Sequence, residues 1–199
     1  MGKNHRNKKS TAGNIPEAKV HGNKMHYICG ALTFLLSFAG YLLTLAPSVT
    51  FEDSGELIVA ARYLGVPHQP GYPLFTIVGW LFSLVPVGDV AYCLNLMSAF
   101  FSAVAASLVY FSTVFLIEDT FSGNKRKKHI TKIPDIFKYI IGVLSGLLFA
   151  FSFENWEQSI ITEVYGLHGF FVSLFVLLVV LLKRSKTESE KRKYFYWIS

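Results

Sequence analysis

The stretch Phe51-Glu52-Asp53-Ser54-Gly55-Glu56 packs three carboxylates into five positions just after an apolar segment ends at Ala46, and is followed by His68-Gln69-Pro70-Gly71-Tyr72-Pro73-Leu74. The segment before it, residues 27–46, would make a helix about 30 Å long, which is one hydrocarbon-core thickness. An acidic knot at the end of such a helix belongs at a membrane edge. Composition agrees, since 52% of the residues are hydrophobic and 16% aromatic, and the mean hydropathy is +0.40. Those values exclude an ordinary soluble domain and indicate a multi-pass membrane protein.

The net charge of +6 could suggest a nucleic-acid partner, but its distribution argues against one. Six of the 19 cations precede the first apolar segment, six lie between Lys125 and Lys138, and six lie between Lys183 and Lys193. Arg62 alone falls elsewhere. Basic clusters separated by pairs of apolar segments are the pattern of cytoplasmic loops. Cys29 and Cys93 both sit in apolar segments and read as small buried hydrophobes. No Cys/His spacing suggests a zinc site, and the chain has no glycine-rich phosphate loop.

These signals predict an all-α membrane protein with four transmembrane helices. Residues 1–25 read as a disordered basic cytoplasmic tail, and residues 26–183 as the membrane domain, with spans near 27–46, 90–117, 136–153 and 164–182. Residues 47–89 form a long first outer loop. Within it, 53–64 has the pattern of a short amphipathic helix and Asp53/Glu56 the spacing of a capping box. Residues 74–85 are apolar but short for a span, and counting them as one would put the Lys125–Lys128 cluster outside. They are therefore expected to lie as a juxtamembrane helix at the outer interface. A small outer loop is expected over 154–163, a return to the cytoplasm at 184–193, and the opening of a further span at 194–199. The chain thus reads as the N-terminal part of something larger, with its N-terminus cytoplasmic.

On this topology seven of the thirteen acids, including Glu52, Asp53, Glu56 and Glu163, face the outer side. Each candidate has two readings. Asp53 and Glu56 either cap a helix or serve a site, and the two are compatible. Arg62 either snorkels beside its helix or binds phosphate. His68 is a loop histidine or a donor to phosphate or sugar. Glu163 favours the N-terminus of the last span through the helix dipole, or closes the site from the second outer loop. Asn95 reads as an interhelical hydrogen bond, and Glu157 and His168 carry weaker signals.

The segments Asp53-Ser54-Gly55-Glu56-Leu57 and Gly65-Val66-Pro67-His68-Gln69-Pro70-Gly71-Tyr72-Pro73-Leu74-Phe75 resemble a family of polytopic GT-C-type glycosyltransferases. It includes the transmembrane protein O-mannosyltransferase that acts on plexin-type IPT domains. Asn95-Leu96 and Trp156-Glu157-Gln158-Ser159 with Glu163-Val164 are similar to that family too, so the resemblance covers roughly residues 30–183. The family usually has His-Pro-Pro-Gly where this chain has His68-Gln69-Pro70-Gly71.

The resemblance implies a GT-C-like helical bundle that moves a hexose, mannose first, from a polyprenyl-phosphate-linked donor to a hydroxyl acceptor such as protein Ser/Thr. For that reaction the residues themselves offer Asp53 as the base with Glu56 or Glu52 as orienting partner, and Arg62, His68, Tyr72 and Glu163 as substrate-binding. Asp53 is expected to be made more basic by burial beside Glu56. No metal, cofactor or nucleic acid is expected. The partners implied are the lipid-linked donor, the acceptor and the bilayer. The location implied is the ER membrane of a eukaryote or the cell membrane of a prokaryote. A different class, a non-catalytic membrane subunit whose acidic loop binds a partner, is the competing reading, and an ion-coupled transporter ranks behind it.

Overall fold

The computed structural model describes residues 24–122, 134–185 and 187–198. The expected tail to residue 23 and the basic segment 123–133 lie outside the described residues. The described chain is helical throughout: α1 (Lys24–Thr44), α2 (Ser54–Tyr63), α3 (Pro73–Phe82), α4 (Val90–Ser122), α5 (Asp135–Ala150), α6 (Phe153–Ser159), α7 (Tyr165–Arg184) and α8 (Glu188–Ile198). Helices α1, α4 and α7 are long and apolar enough to cross a membrane. Joined by the bent pair α5–α6, they would make four spans. This is an all-α membrane protein.

Helix α4 is the axis, packing against α1, α5 and α7. Small residues make this possible. Ala99, Ala103 and Ala106 are fully buried and share a core with Tyr41 of α1 and Ala150 of α5. On α5, a Cβ at Gly142 would lie 2.6 Å from Val114 Cγ2, and one at Gly146 would lie 2.8 Å from the Ala106 carbonyl oxygen. On α7, a Cβ at Gly166 would lie 2.9 Å from the Ser98 carbonyl oxygen. In hydrocarbon, helices associate through such close backbone approach, because burying apolar surface gains little there. Leu35, Leu36, Leu148, Phe175 and Val176 face outward and are exposed, as lipid-contacting side chains must be.

The bundle has two chemically different ends. At one, Lys138 pairs with Glu118 at 3.4 Å, and Arg184 pairs with Glu118 at 3.0 Å and Asp119 at 2.9 Å. The Arg184 guanidinium also stacks 4.6 Å from the Phe115 ring centroid. At the other end, Tyr41 donates to the Ala150 carbonyl at 2.9 Å and Trp156 Nε1 donates to Thr44 Oγ1 at 3.0 Å. The Ala46 amide donates to the Ile160 carbonyl at 3.0 Å. Helices α2, α3 and α6 all lie at this second, acidic end.

Helix α5 stops at Ala150, and the chain turns by 66° through extended Ser152 into α6. The 154–163 segment, expected as a loop, thus contains a helix. Its length of 16 residues gives α5 about 24 Å, short of the hydrocarbon core. Helix α3 is shorter still at ten residues, about 15 Å. It packs against α2 so closely that a Cβ on Gly79 would sit 2.8 Å from Ala61 Cβ. Leu57 of α2, Phe75 of α3, Met97 of α4 and Leu167 of α7 form one buried cluster beneath the acidic residues.

Candidate active site

Asp53 occupies the N-cap of α2, but its side chain makes no capping bond. The capping box suggested by the Asp53/Glu56 spacing does not form, because a better donor reaches Glu56. The Glu56 carboxylate accepts from the His68 backbone N–H and lies 3.0 Å from His68 Nδ1. The loop that makes this possible turns back at the Gly71 N–H to His68 carbonyl bond of 2.9 Å. It then passes through positive φ at Gly71 (92°) and Tyr72 (40°) before Pro73 opens α3. Glycine tolerates that geometry readily. The two bonds from His68 hold the Glu56 carboxyl below its ordinary value.

With Nδ1 committed to Glu56, His68 Nε2 faces Asp53 Oδ2 at 3.7 Å. That is too long for a hydrogen bond. The Tyr72 ring meets the imidazole edge-on, with centroids 5.6 Å apart. Glu52, Asp53, Leu57, His68, Tyr72, Glu163, Val164 and Tyr165 enclose a cavity of about 80 Å³. A wider cavity of about 490 Å³, lined by Glu52, Glu154, Asn155, Gln158 and Tyr165, adjoins it through Glu52 and Tyr165. The sequence candidates Glu52, Asp53, His68, Tyr72 and Glu163 are therefore brought together around one space, with Glu56 behind the imidazole.

Two expectations need correction. Asp53 is not buried, its side chain being 59% exposed, because it stands at the start of a short helix on the rim. The burial expected to raise its basicity is found instead at Glu163, which is 4% exposed. Burial pushes the Glu163 carboxyl up, and the charges of Asp53 and Glu52 push the same way against backbone hydrogen bonds from Val164 and Asp53. Its Oε1 has no hydrogen-bond partner among the described residues. Arg62, the expected phosphate ligand, does not line the cavity. It lies in the last turn of α2 and donates to the Ser83 carbonyl at 3.3 Å, at the C-terminal end of α3. A cation there satisfies an otherwise open helix carbonyl and complements the dipole of α3.

Three further residues hold the site in place. Asn95 of α4, fully buried, donates to the carbonyls of Ala46 at 2.8 Å and Ser48 at 3.1 Å, and accepts from Thr162 Oγ1. One amide thus clamps the start of the first outer loop to the residue before Glu163. The Ser98 hydroxyl contacts the Glu163 backbone N–H and carbonyl at 3.4 Å each. The sequence reading missed Thr162 and Ser98 and gave Asn95 only an interhelical role. An asparagine inside an apolar helix was the available signal, but its partners are more than 45 residues away. Glu157 and His168 are exposed and do not line either cavity.

A family model described as the protein O-mannosyl-transferase TMEM260 N-terminal domain matches residues 53–199, beginning at Asp53 and including Glu56, His68 and Glu163. The chain belongs to this family. It is 39% identical over 183 residues to mouse protein O-mannosyl-transferase TMEM260, an alignment covering 91% of this chain and 23% of the mouse protein. With Dictyostelium discoideum protein O-mannosyl-transferase tmem260 it shares 31% identity over 175 residues, 86% of this chain and 19% of that protein. The chain thus spans less than a quarter of the length of the TMEM260 relatives it matches. No solved structure matches it significantly.

Proposed function

We propose that this chain forms the acidic part of the active site of a membrane protein O-mannosyltransferase with a GT-C-like architecture, working on the non-cytoplasmic side. The observation that carries the reading is the convergence of Asp53, His68 and buried Glu163 on one cavity at the membrane edge, within the region matching the TMEM260 family. Donor and acceptor must meet at that depth if the sugar is carried on a lipid and the acceptor is a water-soluble protein.

The reaction proposed is an inverting transfer. The oxygen of an acceptor hydroxyl attacks the anomeric carbon of mannose linked to a polyprenyl phosphate. The bond from that carbon to the phosphate oxygen breaks, and its electron pair leaves with the phosphate. The hydroxyl proton passes to Asp53. A hydroxyl becomes far more acidic as its new bond forms, so a weakly basic carboxylate at the right place suffices, and position matters more than a shifted pKa. The wider cavity beside Glu52 and Tyr165 suits the acceptor, and the exposed apolar face of α3 (Leu74, Ile77 and Leu81) suits the lipid chain of the donor.

Asp53→Asn in the intact protein tests the assignment. It should lower mannose transfer about a hundredfold or more while leaving the protein folded. Undiminished transfer would remove Asp53 from the mechanism.

A further inference from the structure

The cavity has an unbalanced charge. Its walls carry the carboxylates of Glu52, Asp53 and Glu163, and among the described residues no Lys or Arg lines it. Arg62, the residue that could have received a leaving phosphate, is engaged at the end of α3. Glu163 is almost completely buried, yet presents an oxygen with no partner. A buried carboxylate oxygen left without a donor is costly, and native proteins rarely leave one unless something else completes it.

The geometry of His68 points to what completes it. The Glu56 carboxylate can only accept, so His68 Nδ1 carries the hydrogen between them at 3.0 Å. In the neutral ring the lone pair is then on Nε2, facing Asp53 Oδ2 across 3.7 Å. A separation too long for a hydrogen bond suits two ligands of one ion, since metal–ligand distances near 2.1 Å put neighbouring ligand atoms about 3 to 4 Å apart. Carboxylate, imidazole, then metal is the arrangement by which proteins orient a ligating histidine. One ligand atom from each of Asp53, Glu56 and His68 falls within 4.8 Å of the others. The cavity of about 80 Å³ accommodates a cation that keeps one or two waters.

We propose that this cavity binds a divalent cation, with His68 Nε2 and Asp53 Oδ2 as ligands, Glu163 as the buried balancing carboxylate and Glu56 as the positioning residue behind the imidazole. Mixed nitrogen and carboxylate donors fit Mn²⁺-like ions. The cation's role in catalysis rests on the transferase reading. There it would supply the positive charge that the leaving phosphate needs, at a cavity that Arg62 does not line. Asp53 offers Oδ2 to the ion and keeps Oδ1 for the acceptor proton.

The experiment is a Mn²⁺ titration of the intact protein in lipid nanodiscs, followed by electron paramagnetic resonance. One Mn²⁺ should bind per protein, with an electron-spin-echo modulation from a coordinated imidazole nitrogen. His68→Gln should abolish that modulation. Asp53→Asn and Glu163→Gln should weaken binding, and Glu56→Gln should do so about tenfold through the misoriented ring. Absence of bound Mn²⁺ at millimolar concentration, or binding and modulation unchanged in His68→Gln, overturns the proposal. Mannose transfer measured in parallel separates the two readings. Transfer that persists in a chelator with no ion bound overturns the cation's role in catalysis and spares the transferase. Bound Mn²⁺ with the imidazole signature upholds the site even if no mannose is transferred.

Discussion

At the scale of single residues, Glu163 sets function against stability. A carboxyl whose value is raised by burial holds its proton more tightly in the folded state than in the unfolded chain. As pH rises through the window between the two values, the unfolded state binds fewer protons and stability falls. In the chelated protein, Glu163→Gln should therefore raise the melting temperature at neutral pH, and the gain should shrink as pH falls from the raised value and vanish below the ordinary glutamate value. A thermal-melt series from acid to neutral pH checks both the sign and the window. Glu56 behaves oppositely. Its lowered value means that the His68 link helps above the ordinary carboxyl range and is lost as pH falls through the folded value. Asn95 is the third sensitive position. Asn95→Ala removes the partner of two part-buried carbonyls and of the buried Thr162 hydroxyl. The expected loss is on the order of 2 kcal/mol, read as a lower midpoint in detergent denaturation, together with weaker transfer because Glu163 shifts with Thr162. None of these positions was fully legible in the sequence. Glu163 was visible as an outer acid, but its burial depends on Ser98 and on Thr162 bonded to Asn95, contacts that no local pattern encodes.

Among the elements, α2 and α3 divide the acidic loop into an end that lines the cavity and an end where Arg62 meets Ser83. The turn signals at Gly65, Pro67, Pro70 and Gly71 separate two short helices, and the structure has α2 and α3 on either side of them. What the sequence could not show is their packing, and with it the side on which Arg62 falls. The close approach of α2 and α3 at Ala61 and Gly79 brings the guanidinium to Ser83. Arg62→Gln should therefore cost less than about 1 kcal/mol of stability and leave transfer nearly intact. A residue stabilising the leaving phosphate would lose about a hundredfold on the same change. The α4–α5 seam is the counterpart for folding. Gly146→Leu would drive a side chain against the Ala106 backbone and Thr33, which cannot retreat far. About 2 kcal/mol or more of destabilisation is expected, measured by retention of the folded species on heating in detergent. The small residues of α4 marked it in the sequence as a close-packing helix, but their partners on α5 were not specified.

For the whole molecule, the decisive property is which compartment the acidic end faces. The alternation of α1, α4, α5 and α7 puts residues 44–54, 83–95 and 150–165 together at one end, and Lys138, Arg184 and their acidic partners at the other. The fold class was legible because hydropathy and charge are sums over long stretches and survive ignorance of every contact. We propose that the end opposite Asp53, which carries Lys138 and Arg184, faces the cytoplasm, where cationic loops are retained. The energetic consequence is strict. A lipid-linked mannose displayed outside the cytoplasm can meet Asp53 only if that end faces outward. Single cysteines at positions 49 and 187, in a protein with Cys29 and Cys93 replaced by serine, separate the two orientations. In sealed vesicles with the cytoplasmic face outward, an impermeant maleimide should label Thr187→Cys at once, and Val49→Cys only after permeabilisation. The reverse pattern would place the carboxylates in the cytoplasm, away from the donor. The transferase reading would then fail, whereas the cation site, which depends only on local geometry, would remain.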